Sequence, residues 1–302
     1  LVTAQFAVYT SGTYQISASA KPAFPLGVID AKDVRLQAGK DGTCTVQLTF
    51  TGGTLKNTGI DDVTAVLKWT IKGGQTTITQ ETALRVFFIY DIPQSPWGDK
   101  AGFGTPWTEA LAFACANAKG AAGTTDALWS EAIVRTMMQG LWTRLSYQKT
   151  AVYASGSQFH LTRFLSDMKT GAPAVNDNDC GALLVALCNL LGCGLYSVLL
   201  CGQAGKPLNT RRIIPIGSTA EGKYSLQEHE AVVELRGLVP YYSDLCYQMP
   251  GEEVTMQHPV MRPFHTETGG AIGYCEMFLD DPAQCVLSKE QRTIGNGKRT
   301  IL

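Results

Sequence analysis

The 302-residue chain carries almost no net charge: 25 lysines and arginines stand against 26 aspartates and glutamates, for a formal charge of −1. Neither a polyanion partner nor an acidic substrate is implied by that balance, and nucleic acid is not an expected partner. Uninterrupted apolar runs are missing too. The two richest, 181–191 and 195–201, are broken by Asn189, Gly192 and Gly194 and fall short of the ~20 residues a bilayer span needs, so no membrane insertion is expected. The nine cysteines are odd in number, irregularly spaced and without a C-x-x-C pair, which argues against a disulfide framework and a zinc site. Cys188, Cys193 and Cys201 sit in apolar surroundings suited to buried thiols. Gly202 to Lys206 lacks the spacing of a phosphate loop and reads as a turn, so neither metal nor cofactor is expected. Repeats of fixed period and low-complexity tracts are also missing. Leu1 opens on no basic stretch and apolar core of a signal peptide, which is compatible with a mature fragment or part of a larger polypeptide.

What the chain has is two halves with different patterning. From Phe6 to Tyr90, runs such as "TYQISASA", "TCTVQLTF", "AVLKWTIK" and "LRVFFIYDIP" are β-branched and aromatic, separated by Gly, Asp and Pro, as in short antiparallel strands. Six or seven such strands predict a β-sandwich over residues 1–95. Asp91 to Trp107, rich in proline and aromatics, reads as a linker packed on a surface. From residue 96 to 302 helices enter. Ala110, Leu111, Ala114 and Cys115 fall at helical spacing after Thr108, and a second helix fits Thr125 to Leu145. All five tryptophans lie between Trp69 and Trp142, predicting a cluster near the junction of the halves.

The stretch "NDNDCGALLVALCNLLGC" places Cys180 in the first turn of a helix. Its residues Leu183, Leu184, Leu187, Cys188 and Leu191 repeat at three and four as one buried face that ends at Gly192. Asp177, Asn178 or Asp179 can each cap it. A calcium loop fails on the residues: Gly181 and Cys188 stand where oxygen ligands belong. Cysteine on a helix is ordinarily a core residue, but unpaired amides and the dipole at a helix head favour the thiolate, the form that attacks.

A base is offered by "EHEAVVELRGLVPYYSDLCY". His229, Ala231, Val233 and Leu235 alternate with Glu228, Glu230, Val232 and Glu234 as a half-buried strand with His229 on the apolar face. A turn centred between Arg236 and Gly237 sets His229 directly across from Asp244. Buried His–Asp pairs also serve purely structural ends. Together with Cys180 they supply a nucleophile, a base and an orienting carboxylate, the logic of a cysteine acyl-transfer triad. His160, His258 and His265 read as surface or structural residues.

At these residues the chain resembles the transglutaminase-like branch of the papain-like cysteine superfamily. Cys180 precedes His229 by 49 residues and His229 precedes Asp244 by 15, in the order that family shows. The resemblance spans about residues 100–260 and implies an α+β domain of core helices on an antiparallel sheet, with Cys180, His229 and Asp244 catalytic. The chain departs from the commoner pattern in lacking a tryptophan two residues after the histidine and a Trp-rich stretch before the aspartate, which bears on substrate class. The oxyanion donor it implies is the backbone amide of Cys180, with Gln158 as a side-chain candidate. Amide chemistry on a protein or peptide substrate through a thioester follows, as hydrolysis (peptidase, amidase or deamidase) or as cross-linking to a lysine amine. The rivals are a binding or structural module that keeps the scaffold without turnover, and an effector fragment.

Overall fold

The computed structural model describes residues 2–21, 27–37, 39, 42–52, 59–97, 106–156, 158–251, 255–287 and 300–301. The architecture is mixed α/β with mostly antiparallel sheets. The chain divides into two compact units: Leu1–Thr58 with Asp62–Phe87, and Gly59–Asp61 with Phe88–Leu302. Among the described residues no helix is long and apolar enough to cross a membrane.

The first unit is built of strands β1 (Val2–Ala7), β2 (Gly12–Lys21), β3 (Gly27–Leu36), β4 (Thr43–Leu48), β5 (Thr51–Gly52), β6 (Asp61–Gly73) and β7 (Thr76–Phe88). β1 pairs with β4, and the others form a five-stranded sheet in the order β5-β3-β2-β6-β7. Alternation does the work expected of it: Ile16 and Ala18 of β2 and Leu67 and Trp69 of β6 point into one core with Leu36 and Leu48. Phe6 of β1 meets Trp69 edge to face, ring centroids 5.8 Å apart, so both sheets contribute to that core. Among the described residues the tryptophans make separate ring contacts. Trp69 packs on Phe6, Trp97 on Trp107, Trp129 on Tyr90 and Trp142 on His258. In the expected linker, residues 98–105 lie outside the described residues; before them Gln94 N–H donates to Asn189 O at 2.8 Å.

The second unit contains helices α1 (Thr108–Asn117), α2 (Asp126–Trp142), α3 (Leu161–Thr170), α4 (Asp177–Leu190) and α5 (Tyr274–Phe278). Its largest sheet is antiparallel throughout, from β8 (Leu195–Gly202), β9 (Glu228–Arg236), β10 (Val239–Ser243), β11 (Arg262–Pro263) and β12 (Cys285–Leu287), in the order β11-β10-β9-β8-β12. Every residue of α4 from Asp179 to Leu190 is buried, so the helix is not the one-faced amphipathic element its leucines predict. It packs against α1 and α2 as well as against β8 and β9, and a helix covered on all sides keeps no polar face. β9 departs from expectation in the same way. Residues 229 to 234 are all buried, because α4 lies against the face that carries Glu230 while α5 sends Tyr274 and Phe278 to the face that carries His229.

Candidate functional site

The head of α4 is fixed by a capping box one residue earlier than expected. Asn176, not Asp177, Asn178 or Asp179, is the N-cap: its side chain accepts from Asp179 N–H at 3.0 Å, and Asp179 reaches back to Asn176 N–H at 3.4 Å. Asp179 also accepts from the backbone N–H groups of Val152, Tyr153 and Ala154 at 2.8, 2.8 and 2.6 Å, so a fully buried carboxylate ties that loop to the helix. Cys180 therefore closes the first turn, and its own N–H donates to Asn176 O at 2.9 Å. That bond removes the Cys180 amide from service as an oxyanion donor, correcting the expectation. Gln158, the other candidate, is exposed on the short strand Gln158–Phe159 and has no hydrogen bond to Cys180, His229 or Asp244.

His229 and Asp244 do meet, by a different register. β9 and β10 pair Val232 with Ser243 and Arg236 with Val239, so the turn is Gly237-Leu238, with Gly237 at φ 66° as the first central residue of a II′-type hairpin. Pairing shifts by two residues from the expected frame. Because side chains alternate with period two, a two-residue slip keeps the face: continuing the ladder sets Asp244 beside Ala231, diagonal to His229 and on the same side. His229 Nε2 lies 2.6 Å from Asp244 Oδ2. Tyr274 O–H donates to the same oxygen at 2.7 Å, and Asp244 Oδ1 accepts from Cys246 and Tyr247 N–H at 2.7 and 3.2 Å. Phe278 and Tyr247 wall the imidazole, at centroid distances of 4.7 and 5.3 Å.

The other ring nitrogen faces the head of α4. Nδ1 of His229 is 3.4 Å from Asp177 Oδ2, an ion-pair distance whose geometry falls short of a hydrogen bond, and among the described residues it has no hydrogen-bond partner. The same Asp177 oxygen accepts from Glu230 N–H at 3.0 Å. Cys180 is not hydrogen-bonded to His229; its thiol lies beside that of Cys246. Cys180, His229 and Asp244 are 1%, 0% and 2% exposed, whereas the Asp177 side chain keeps 18%, so the open side of the group is the Asp177 side.

These surroundings set the charges. Burial disfavours the imidazolium, but Asp244 and Asp177 outweigh it and hold the His229 pKa up at about 10. Burial pushes Asp177 up, and the His229 contact with the Glu230 N–H reverses this and leaves its carboxyl below its ordinary value. Burial raises the Cys180 thiol, and Asp244, Asp177 and Asp179 add to that rise against a lowering by Cys246. The resting pair is thus imidazolium and thiol. Of the histidines read as surface or structural, His258 is half-buried: burial lowers its pKa to about 4, and its ring packs on Trp142.

Sequence reasoning missed three partners. Asp177 sits one helical turn before Cys180, and that i, i+3 spacing was a readable signal. Cys246 follows Asp244 by two, the period of an extended chain. Tyr274 gave no signal, since it arrives from a short helix 30 residues beyond the aspartate. Comparison of the chain with protein-family models and with curated proteins finds no match.

Proposed function

We propose that the second unit is a transglutaminase-like α+β domain that performs cysteine-dependent amide-bond chemistry, with the first unit a β-sandwich. The observation that carries the reading is the buried 2.6 Å contact between His229 Nε2 and Asp244 at the head of the helix whose first turn bears Cys180. With Nε2–H given to Asp244, Nδ1 is the nitrogen left for the thiol. His229 Nδ1 takes the Cys180 proton, and sulfur bonds to the amide carbon. The C–N bond then breaks as the imidazolium returns the proton to the leaving amine. Water, deprotonated by His229, cleaves the thioester to a carboxylic acid and restores the thiol. Hydrolysis of a protein or peptide amide is favoured because it needs no second substrate site; a lysine amine in place of water would make a cross-link.

The test is ammonia or amine release from a panel of peptide amides and glutamine-containing peptides. Cys180→Ala abolishes turnover while leaving the fold, and His229→Gln lowers it by about 10²- to 10⁴-fold. Turnover by Cys180→Ala equal to the parent chain would remove the mechanism. A second reading, a binding or structural module without turnover, draws on the burial of all three residues and on the raised thiol pKa of Cys180. Iodoacetamide separates the two. One fast thiol at Cys180, slowed in His229→Ala, supports the enzyme, and uniformly slow labelling of the cysteines supports the module.

A further inference from the structure

The proposed mechanism needs His229 Nδ1 for the Cys180 proton, and in the structure that nitrogen faces a carboxylate. Asp177 stands at the first position of α4 with Oδ2 at 3.4 Å from Nδ1, held there by the Glu230 N–H at 3.0 Å. Nε2 is already committed to Asp244 at 2.6 Å. An imidazole with a carboxylate at each nitrogen keeps both protons, and a ring with both protons cannot act as a base. Asp177 also lies on the same helix face as Cys180 and raises its thiol, so one carboxylate opposes both proton movements that start the reaction.

We infer that Asp177 is a positioning residue and latch: it competes with the Cys180 thiol for Nδ1 of His229, and the site becomes reactive when Asp177 lets go of the ring. Resting on the proposed function, this assigns the regulation of that same site. Asp177 is the group able to move, since its side chain is 18% exposed while His229 is 0% exposed. A substrate entering from that side, or a donor replacing His229 on the carboxylate, frees Nδ1 without disturbing the Asp244 contact.

The groups that bear on His229 from each packed element fix the direction of the effect. Asp177 approaches from α4, and Asp244 from the segment after β10. Tyr274 comes from α5, Tyr247 from the strand Tyr247–Pro250, and Cys285 from β12. Of these only Asp177 and Asp244 supply negative charge in contact with the ring, and Asp177→Asn removes one of them. Asparagine keeps a side-chain oxygen for the Glu230 N–H and is tolerated in a first helical turn.

The test reads two quantities in the intact chain. The first is the His229 imidazole titration by NMR, assigned by its loss in His229→Gln; Asp177→Asn lowers its midpoint by about one to three units. The second is the pH profile of Cys180 alkylation by iodoacetamide, followed by peptide mass mapping. Its alkaline limb moves to lower pH in Asp177→Asn, because losing the carboxylate eases both deprotonation of the ring and ionisation of the thiol. Asp177→Ser and a thermal melt of each variant guard against a folding artefact. Unshifted His229 midpoints in both folded variants overturn the latch, as does a limb that stays in place or moves to higher pH. Amide turnover is scored separately: its absence in every variant counts against the proposed function, while the titrations still decide the latch.

Discussion

His229 titrates in the folded chain near 10 against an ordinary 6.5, because Asp244 and Asp177 outweigh the penalty of burial. A folded-state pKa above the unfolded one stabilises the fold fully below the unfolded value, and that stabilisation is lost as pH rises through the folded value. For His229 the window runs from about 6.5 to about 10. Urea midpoints of the parent chain and His229→Gln therefore differ most below about pH 6.5 and draw together as pH rises toward 10. A gap that stays constant across the window would show that the two carboxylates do not hold a charged ring. The meeting of His229 with Asp244 and the place of Cys180 in the first turn of α4 were legible from residue type and phase. Phase survived the register error because two residues return a strand to the same face. Asp177 was read only as a cap, since its second partner comes from a strand 52 residues away, and a contact of that separation leaves no local pattern.

At the scale of elements, the head of α4 is held by two side chains of unequal weight. Asn176 satisfies one amide of the first turn, the ordinary duty of a cap, so Asn176→Ala costs about 1 kcal/mol. Asp179 accepts from three consecutive backbone amides, Val152 to Ala154, as well as from Asn176, and is fully buried. Removing its carboxylate leaves two buried and two half-buried donors unsatisfied, the buried ones at about 1–3 kcal/mol each, so Asp179→Ala costs several times as much as Asn176→Ala. Chemical denaturation of the two variants checks the order, and equal losses would mean that water replaces the carboxylate on the 152–154 loop. The other end of α4 was easier to read. Gly192, at φ 103°, closes a Schellman turn in which Gly192 and Cys193 N–H donate to Asn189 and Cys188 O at 3.1 Å each. β3 escaped a period-two reading for a physical reason. The pairing frame with β2 shifts between Ile16 and Ala18, so Ile29 and Leu36, on opposite phases of the sequence, are both buried in the core.

On the scale of the whole molecule, the chain does not hand over from strands to helices at a single point. Gly59–Asp61, which leads into β6 and includes its first residue, belongs to the second unit. Ile60 N–H donates to Ala121 O at 2.9 Å, Gly120 N–H donates to Ile60 O at 2.8 Å, and the Ile60 side chain is 1% exposed. Gly59 fits because it has no Cβ: one there would stand 2.6 Å from Ala121 O, and its φ of 74° is unfavourable for other residues. A composition shift marks where the patterning changes, but nothing in it marks a three-residue excursion, because one isoleucine in a turn has no period. The consequence is that a core residue of the helical unit is encoded among the strands of the other. Ile60→Ala should therefore cost about 2–5 kcal/mol, with the loss falling on the second unit. Hydrogen exchange locates it: amides of Gly120 and of α1 and α2 lose protection in the variant, while those of β2 and β6 keep theirs to the same degree as the parent chain. Faster exchange confined to β2 and β6 would place Ile60 in the core of the first unit and return the division of the chain to one clean cut.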